Sequence, residues 1–162
     1  MSFKLELYSA INQRITQNAD MQTYMGADFQ VDFEDLPPNA LSGASPVLVM
    51  RIADRRAQNL RIGSDADKFI REPRLYIDLW HRTSATTPTH INVIRIMDRL
   101  QKLFNGKWAR TDSGSARFYY LEDFPVPINV IGPHVEVEIK RHAIVFEVRT
   151  IDGSLIEAVL EP

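Results

Sequence analysis

The chain of 162 residues has no cysteine, which excludes a disulfide frame and thiolate chemistry and leaves the compartment open. No stretch approaches the ~20 apolar residues that a membrane helix needs. The opening Met1-Ser2-Phe3-Lys4-Leu5-Glu6 lacks a basic segment followed by an apolar one, so a soluble, unexported protein is expected. Glycine is sparse. Thr111-Asp112-Ser113-Gly114-Ser115 offers a single glycine with no helix after it, far short of a phosphate-binding loop. The four histidines, His81, His90, His134 and His142, fit no metal-ligand spacing. Asp65 and Asp67 begin a calcium-like D-x-D pattern whose glycine and closing glutamate are missing. Asp78 and His81 fall on opposite faces of a strand, and Ser113 and Ser115 have no placed base. No catalytic residue, metal or cofactor is expected, and there is no internal repeat or low-complexity segment.

What is there reads as one domain, residues 1–162, long enough to bury roughly 70% of its unfolded surface. The most regular stretch runs from Pro73 to Gly106. Leu75, Ile77 and Leu79 alternate with Tyr76, Asp78, Trp80 and Arg82, the period of a strand with one face in a core. Val93, Ile96, Met97, Leu100, Leu103 and Phe104 then recur at helical spacing. The pattern predicts a helix over 88–104 with Thr87 as cap, Pro88 at its first position and Asn105-Gly106 as its stop. A first helix is expected over 2–18, from Phe3, Leu7, Ile11 and Ile15 with Tyr8 beside them. Residues 47–54 read as a strand antiparallel to 74–82, because no strong crossover helix separates them.

Three segments read as connections. Residues 19–46 form a long acidic one, with Asp28-Phe29-Gln30-Val31-Asp32-Phe33-Glu34 as either an edge strand or an arm that reaches a partner. Residues 55–73 read as a basic loop holding Arg55, Arg56, Arg61 and Arg71. These arginines suit phosphate or an acidic protein surface, but lack the aromatic interleaving of single-strand binders. Lys107 to Ala116 reads as a polar loop. After it come a short aromatic strand at Arg117–Leu121 and a rigid extended link, Phe124-Pro125-Val126-Pro127. Val135–Lys140 and Ala143–Ile151 alternate, as one bent strand or a hairpin turning at Lys140-Arg141-His142. The apolar residues Leu155, Ile156 and Leu160 of the tail 152–162 add an edge or dock on a neighbour. The expected fold is α+β: an antiparallel, at most mixed, sheet of about four strands flanked by two helices, in the order α-β-β-α-β-β.

Charge is unevenly spread. Residues 1–50 carry two basic and six acidic side chains, 51–117 carry fourteen and seven, and 118–162 carry three and eight. A basic middle between acidic ends suits pairing with copies of the same chain or with an anionic partner, or simply a solvated surface. The candidate interface residues are Tyr76, Asp78, Trp80 and Arg82, the acidic Asp28, Asp32, Glu34 and Asp35, the basic Arg55, Arg56, Arg61 and Arg71, and the tail residues Leu155, Ile156 and Leu160. Tyr, Trp and Arg are enriched at protein interfaces. If both helices lie on the aliphatic side of the sheet, the face bearing Tyr76 and Trp80 needs another cover, either a neighbouring subunit or the 19–46 segment folded back.

The element order, with Leu5 to Ile15, Leu48-Val49-Met50-Arg51-Ile52-Ala53 and Leu75-Tyr76-Ile77-Asp78-Leu79-Trp80, resembles the tail-terminator (tail-completion, minor tail protein) family of long-tailed bacteriophages and gene transfer agents. The helix Val93–Leu100 and the closing His142–Val148 complete the resemblance. It implies a structural virion protein of the tail or neck, assembled in the host cytoplasm, with no catalytic residues. Such a protein forms a ring, usually a hexamer, that caps the tail tube, ends its polymerisation and presents a surface for head–tail joining. Its implied partners are itself, the tail tube protein and a head-completion or connector protein. A non-specific contact with DNA in the lumen is also allowed, and no membrane is involved. The rival readings are another neck or head-completion connector and, from a different class, a small α+β ligand-binding domain or enzyme.

Overall fold

The computed structural model describes residues 2–26, 29–36, 46–56, 71–82, 90–127 and 139–151. Helix α1 runs Phe3–Thr16 and is capped by Ser2, whose Oγ accepts from the Leu5 N–H at 3.4 Å. All five residues of its expected stripe, Phe3, Leu7, Tyr8, Ile11 and Ile15, are buried. Asn18 ends the helix. It takes an extended backbone (ψ 121°), and its Oδ1 accepts from the Met21 N–H at 3.1 Å, starting a second helix, α2, over Ala19–Met25. Gly26, at φ 96°, stops α2 where a side chain would be strained.

The sheet has six strands: β1 Gln30–Phe33, β2 Val47–Arg56, β3 Arg71–Arg82, β4 Trp108–Thr111, β5 Gly114–Val126 and β6 Ile139–Ile151. Helix α3, His90–Phe104, lies between β3 and β4 in the chain. The spatial order is β1-β2-β3-β6-β5-β4, with β1 parallel to β2 and every other neighbour antiparallel. The sheet curls into a half-barrel. Its concave side, with Leu48, Met50, Leu75, Ile77, Leu79, Phe118, Ile144 and Phe146, shares one core with the buried residues of all three helices.

This overturns the expected four-stranded antiparallel sheet with two helices in the order α-β-β-α-β-β. Among the described residues there are three helices and six strands, and the sheet is mixed. The acidic 19–46 segment contains α2 and β1, and β1 is an edge strand of the sheet. The strands on either side of the expected basic 55–73 loop run into it from both ends, to Arg56 and from Arg71. Arg55 pairs with Glu72 and Arg56 with Arg71, so the two strands extend beyond the apolar run that marked them. The segment 107–116 is not a loop: it forms β4, a two-residue turn at Asp112-Ser113 and the start of β5. The link at 124–127 is strand through Val126. Phe124 pairs with Ala143 and Pro125 with His142, where β5 has only β6 beside it, the edge setting in which proline is tolerated. A register shift between Tyr120 and Glu122 reverses which side chains face the core and so breaks the period-2 signal. Lys140, Arg141 and His142 lie within β6, so no hairpin turns there. The expected cap and start at Thr87-Pro88, the strand residues 135–138 and the tail 152–162 fall outside the described residues.

The antiparallel pairing of 47–54 with 74–82 holds, with Val47 opposite Trp80 and Met50 opposite Ile77. In α3, Val93, Ile96, Met97, Leu100 and Phe104 are buried as expected. No described helix is long and apolar enough to cross a membrane.

Candidate protein interface

Every described helix packs on the concave side, so among the described residues the convex face is built from strand side chains and Leu36. Period 2 and the register bring Arg51, Tyr76 and Val145 into one row, and Val49, Asp78 and Ala143 into the next. Val47, Trp80 and Arg141 form a third. Val47, Val49, Asp78, Ala143 and Val145 are buried there. Leu36, just after β1, packs with Trp80 and Ile139 against Val47 and Val49, so the segment following β1 supplies part of the cover.

Arginines lie over aromatic rings across this face. The Arg51 guanidinium is 4.9 Å from the Tyr76 ring centre, and that of Arg141 is 5.0 Å from Trp80. Arg117 sits between Trp108 at 5.6 Å and Tyr119 at 5.3 Å, and Arg149 is 4.7 Å from Tyr119. A stacked guanidinium can present its N–H edge to a carboxylate, phosphate or carbonyl, and Arg117 Nε donates to the Gly106 carbonyl at 3.1 Å. Two of these arginines also bind acids: Arg141 donates to Asp78, and Arg149 Nε donates to Glu147 at 3.1 Å. Among the described residues, Asp78 Oδ1 and Arg141 Nε are buried with no hydrogen-bond partner.

Of the expected interface residues, Tyr76, Asp78 and Trp80 share the convex face as read. Arg82 lies on β3 opposite Ile139, and Arg55, Arg56 and Arg71 occupy strand positions at the far end of β2 and β3. Asp32 lies on β1 beside Val49. Glu34 turns toward α1, accepting from the Tyr8 hydroxyl and pairing with Lys4 at 3.0 Å, while Asp35 follows it. Arg61, Asp28, Leu155, Ile156 and Leu160 fall outside the described residues. Arg51, Arg117, Tyr119, Arg141, Arg149 and Trp108 escaped the sequence reading. The signal available was the alternation of polar Arg117, Tyr119, Glu147 and Arg149 with buried Phe118, Phe146 and Val148.

Away from this face, Asp123 links two groups: Tyr120 Oη donates to its Oδ2 at 2.7 Å, and His142 Nε2 lies 3.0 Å from its Oδ1. The pair borders a cavity of about 190 Å³ that is also lined by Val93, Met97 and Asp98. A larger cavity of about 410 Å³ lies between α1 and β1, lined by Leu5, Tyr8, Phe33 and Glu34. Among the described residues no group of three or more His, Asp or Glu side chains could hold a metal.

Burial alone would raise both Glu34 and Asp123. Hydrogen bonds from Tyr8 and Lys4 to Glu34, and from His142 and Tyr120 to Asp123, instead hold them below the ordinary carboxylate range. A carboxylate with a depressed folded pKa contributes stability above its unfolded pKa and loses it as pH falls through the folded one. Asp32, raised by burial, acts with the opposite sign and softens the fall. Urea midpoints are therefore expected to be level from pH 7 to about 5 and to drop below about 4. An undiminished midpoint at pH 3 would show that these contacts contribute nothing.

No family model matches the chain, and no curated protein matches it. A solved structure whose name states no activity shares 10% identity over 90% of this chain and 95% of its own, with a TM-score of 0.49. A likeness at that level assigns neither fold nor function.

Proposed function

We propose that the protein is a structural, ring-forming subunit of a long-tailed virion that caps the tail tube, ends its polymerisation and offers a surface for head–tail joining. The observation that carries this reading is the convex sheet face, free of described helices and set with arginine–aromatic pairs, the composition of protein contact surfaces. The element patterns that resemble tail terminators, above all the antiparallel 47–54 and 74–82 pair and the amphipathic helix after it, support it further. On this reading the subunit needs no turnover: its partners are its own copies, the tube protein and a connector.

The test is an assembly reaction with tube protein, read by electron microscopy for tube length and by native mass for rings. The wild-type chain is expected to give tubes of uniform length with a ring at one end. Arg51→Glu/Tyr76→Ala, with folding checked by circular dichroism, is expected to lengthen and scatter the tubes. Wild-type protein that forms no ring and leaves tube length unregulated overturns the reading.

A further inference from the structure

Strand order gathers positive charge in one corner of the convex face. Glu147 and Arg149 follow Val145 at every second position of β6, so their rows continue that face. The register sets Tyr119 beside Glu147 and Arg74, Trp108 beside Arg117 and Arg149, and Arg110 beside Ser115. Four arginines, one each from β3, β4, β5 and β6, therefore meet one glutamate across these three rows. With neighbouring strands about 4.8 Å apart, the rows cover about 14 Å across the sheet. Arg110 and Arg149 are exposed, and Arg74, Arg117, Trp108 and Tyr119 are half-buried. Glu147 accepts from Arg149 and lies opposite Arg74, so the corner as a whole is positive.

Aromatic rings are interleaved with this charge. Trp108, Arg117, Tyr119 and Arg149 follow one another as ring, cation, ring and cation, with guanidinium-to-ring distances from 4.7 to 5.6 Å. The chain holds no such run in sequence. Trp108 comes from β4, Arg117 and Tyr119 from β5 and Arg149 from β6, and strand pairing assembles the series. The bond from Arg117 Nε to the Gly106 carbonyl fixes its middle before any partner arrives. Arginines alone suit any anion. Arginines alternating with rings suit an anion that also carries flat aromatic groups, because guanidinium planes and ring faces stack on bases while N–H groups take phosphates. The described helices all pack on the other side of the sheet, so among them none is placed to enter a duplex groove from this face.

We propose that this β4–β5–β6 corner binds single-stranded nucleic acid, with bases stacked on Trp108, Tyr119 and the guanidinium planes and phosphates held by Arg74, Arg110 and Arg149. Contacts of this kind read ring faces and backbone rather than base edges, so binding has little sequence preference and falls steeply with salt. The rows of Tyr76, Asp78 and Trp80 lie farther along β3, outside the corner. The inference goes beyond the ring reading and does not depend on it, since a chain that forms no ring keeps the same corner.

The test is fluorescence anisotropy of a labelled oligothymidylate with the full chain, at about 50 mM salt and again at about 200 mM. Saturable binding is expected, weaker at the higher salt, with duplex DNA and polyglutamate bound about tenfold or more less tightly. Arg110→Glu/Arg149→Glu should weaken binding about tenfold or more and flatten its salt dependence. Arg95→Glu/Lys102→Glu, the same charge change at exposed positions of α3, should leave it within about twofold. Tyr119→Leu should weaken binding about fivefold or more with the salt dependence kept, because it removes a stacking surface and no charge. Circular dichroism and thermal melting check each fold, and the arginine and tyrosine variants decide separately if one of them fails to fold. Absence of saturable binding overturns the proposal. Equal affinity for duplex or polyglutamate, or binding unmoved by Tyr119→Leu, overturns it by showing a general anion surface. An equal loss in the α3 variant overturns it by showing an effect of net charge alone. Each of these outcomes leaves the ring reading to its own assembly test.

Discussion

Phe104→Ala is expected to lower the free energy of unfolding by about 3–5 kcal/mol, read from urea denaturation with the slope checked for two-state behaviour. Phe104 is the last residue of α3 and is fully buried. Its ring meets Phe118 of β5 edge-on at 5.5 Å and Phe146 of β6 at 5.7 Å. The Arg14 guanidinium of α1 lies 5.5 Å from the same ring while bonding the Trp108 carbonyl on β4. One side chain therefore ties a helix end to two strands directly and, through Arg14, to a second helix and β4. Truncation removes the ring's transfer energy, opens a cavity the edge-on partners are poorly placed to fill, and takes away the platform under a half-buried cation. Phe104→Leu, which keeps most of the volume, should cost less than half as much. A loss below about 1 kcal/mol for Phe104→Ala would mean that the three phenylalanines do not form the centre of the core.

Phe104 also shows what the sequence could reveal. Its helix was legible because Val93, Ile96, Met97, Leu100 and Phe104 recur on one face, and all five are buried. The pairing of β2 with β3 was legible because Leu48, Met50 and Ile52 alternate as cleanly as Leu75, Ile77 and Leu79. The signal failed where a strand is short or its register breaks. Strand β4 has one buried residue, Ala109, too little for a period, and its turn residues Asp112-Ser113 read as loop. Strand β5 alternates through Tyr120 and then shifts register, so its second half lost the pattern. Helix α2 is seven residues long with only Met21 and Met25 buried, and tertiary packing rather than propensity holds it. Of the candidate interface, Tyr76, Asp78 and Trp80 could be placed on one face from β3 alone. Their partners Arg51, Arg141 and Val145 come from β2 and β6, and strand order is what brings them together.

The second large effect concerns Asp78, the buried acid at the centre of the convex face. It is 7% exposed, between Val49 and Ala143, and one of its oxygens accepts from Arg141, whose guanidinium lies 5.0 Å from the Trp80 ring centre. Asp78→Ala is expected to cost about 2–3 kcal/mol, because it leaves a cation among Trp80, Val47 and Ile139 without its counter-charge. That is below the ~3–5 kcal/mol typical when a fully buried pair is broken, since Arg141 keeps a quarter of its side chain in solvent. The pair itself is imperfectly satisfied: among the described residues Asp78 Oδ1 and Arg141 Nε have no hydrogen-bond partner. Replacing both members, Asp78→Ala/Arg141→Met, should therefore recover most of the loss, a positive coupling of about 1–2 kcal/mol in the double-mutant cycle. On the proposed ring reading, if stability alone explains the pair, the double variant should match the wild type in the assembly reaction. If, on that same reading, the Arg141 edge also contacts a neighbour, the double variant should melt normally and yet fail in the assembly reaction. Additive single effects in urea, with no recovery in the double variant, would show that Asp78 and Arg141 act separately and that the assigned ion pair contributes nothing.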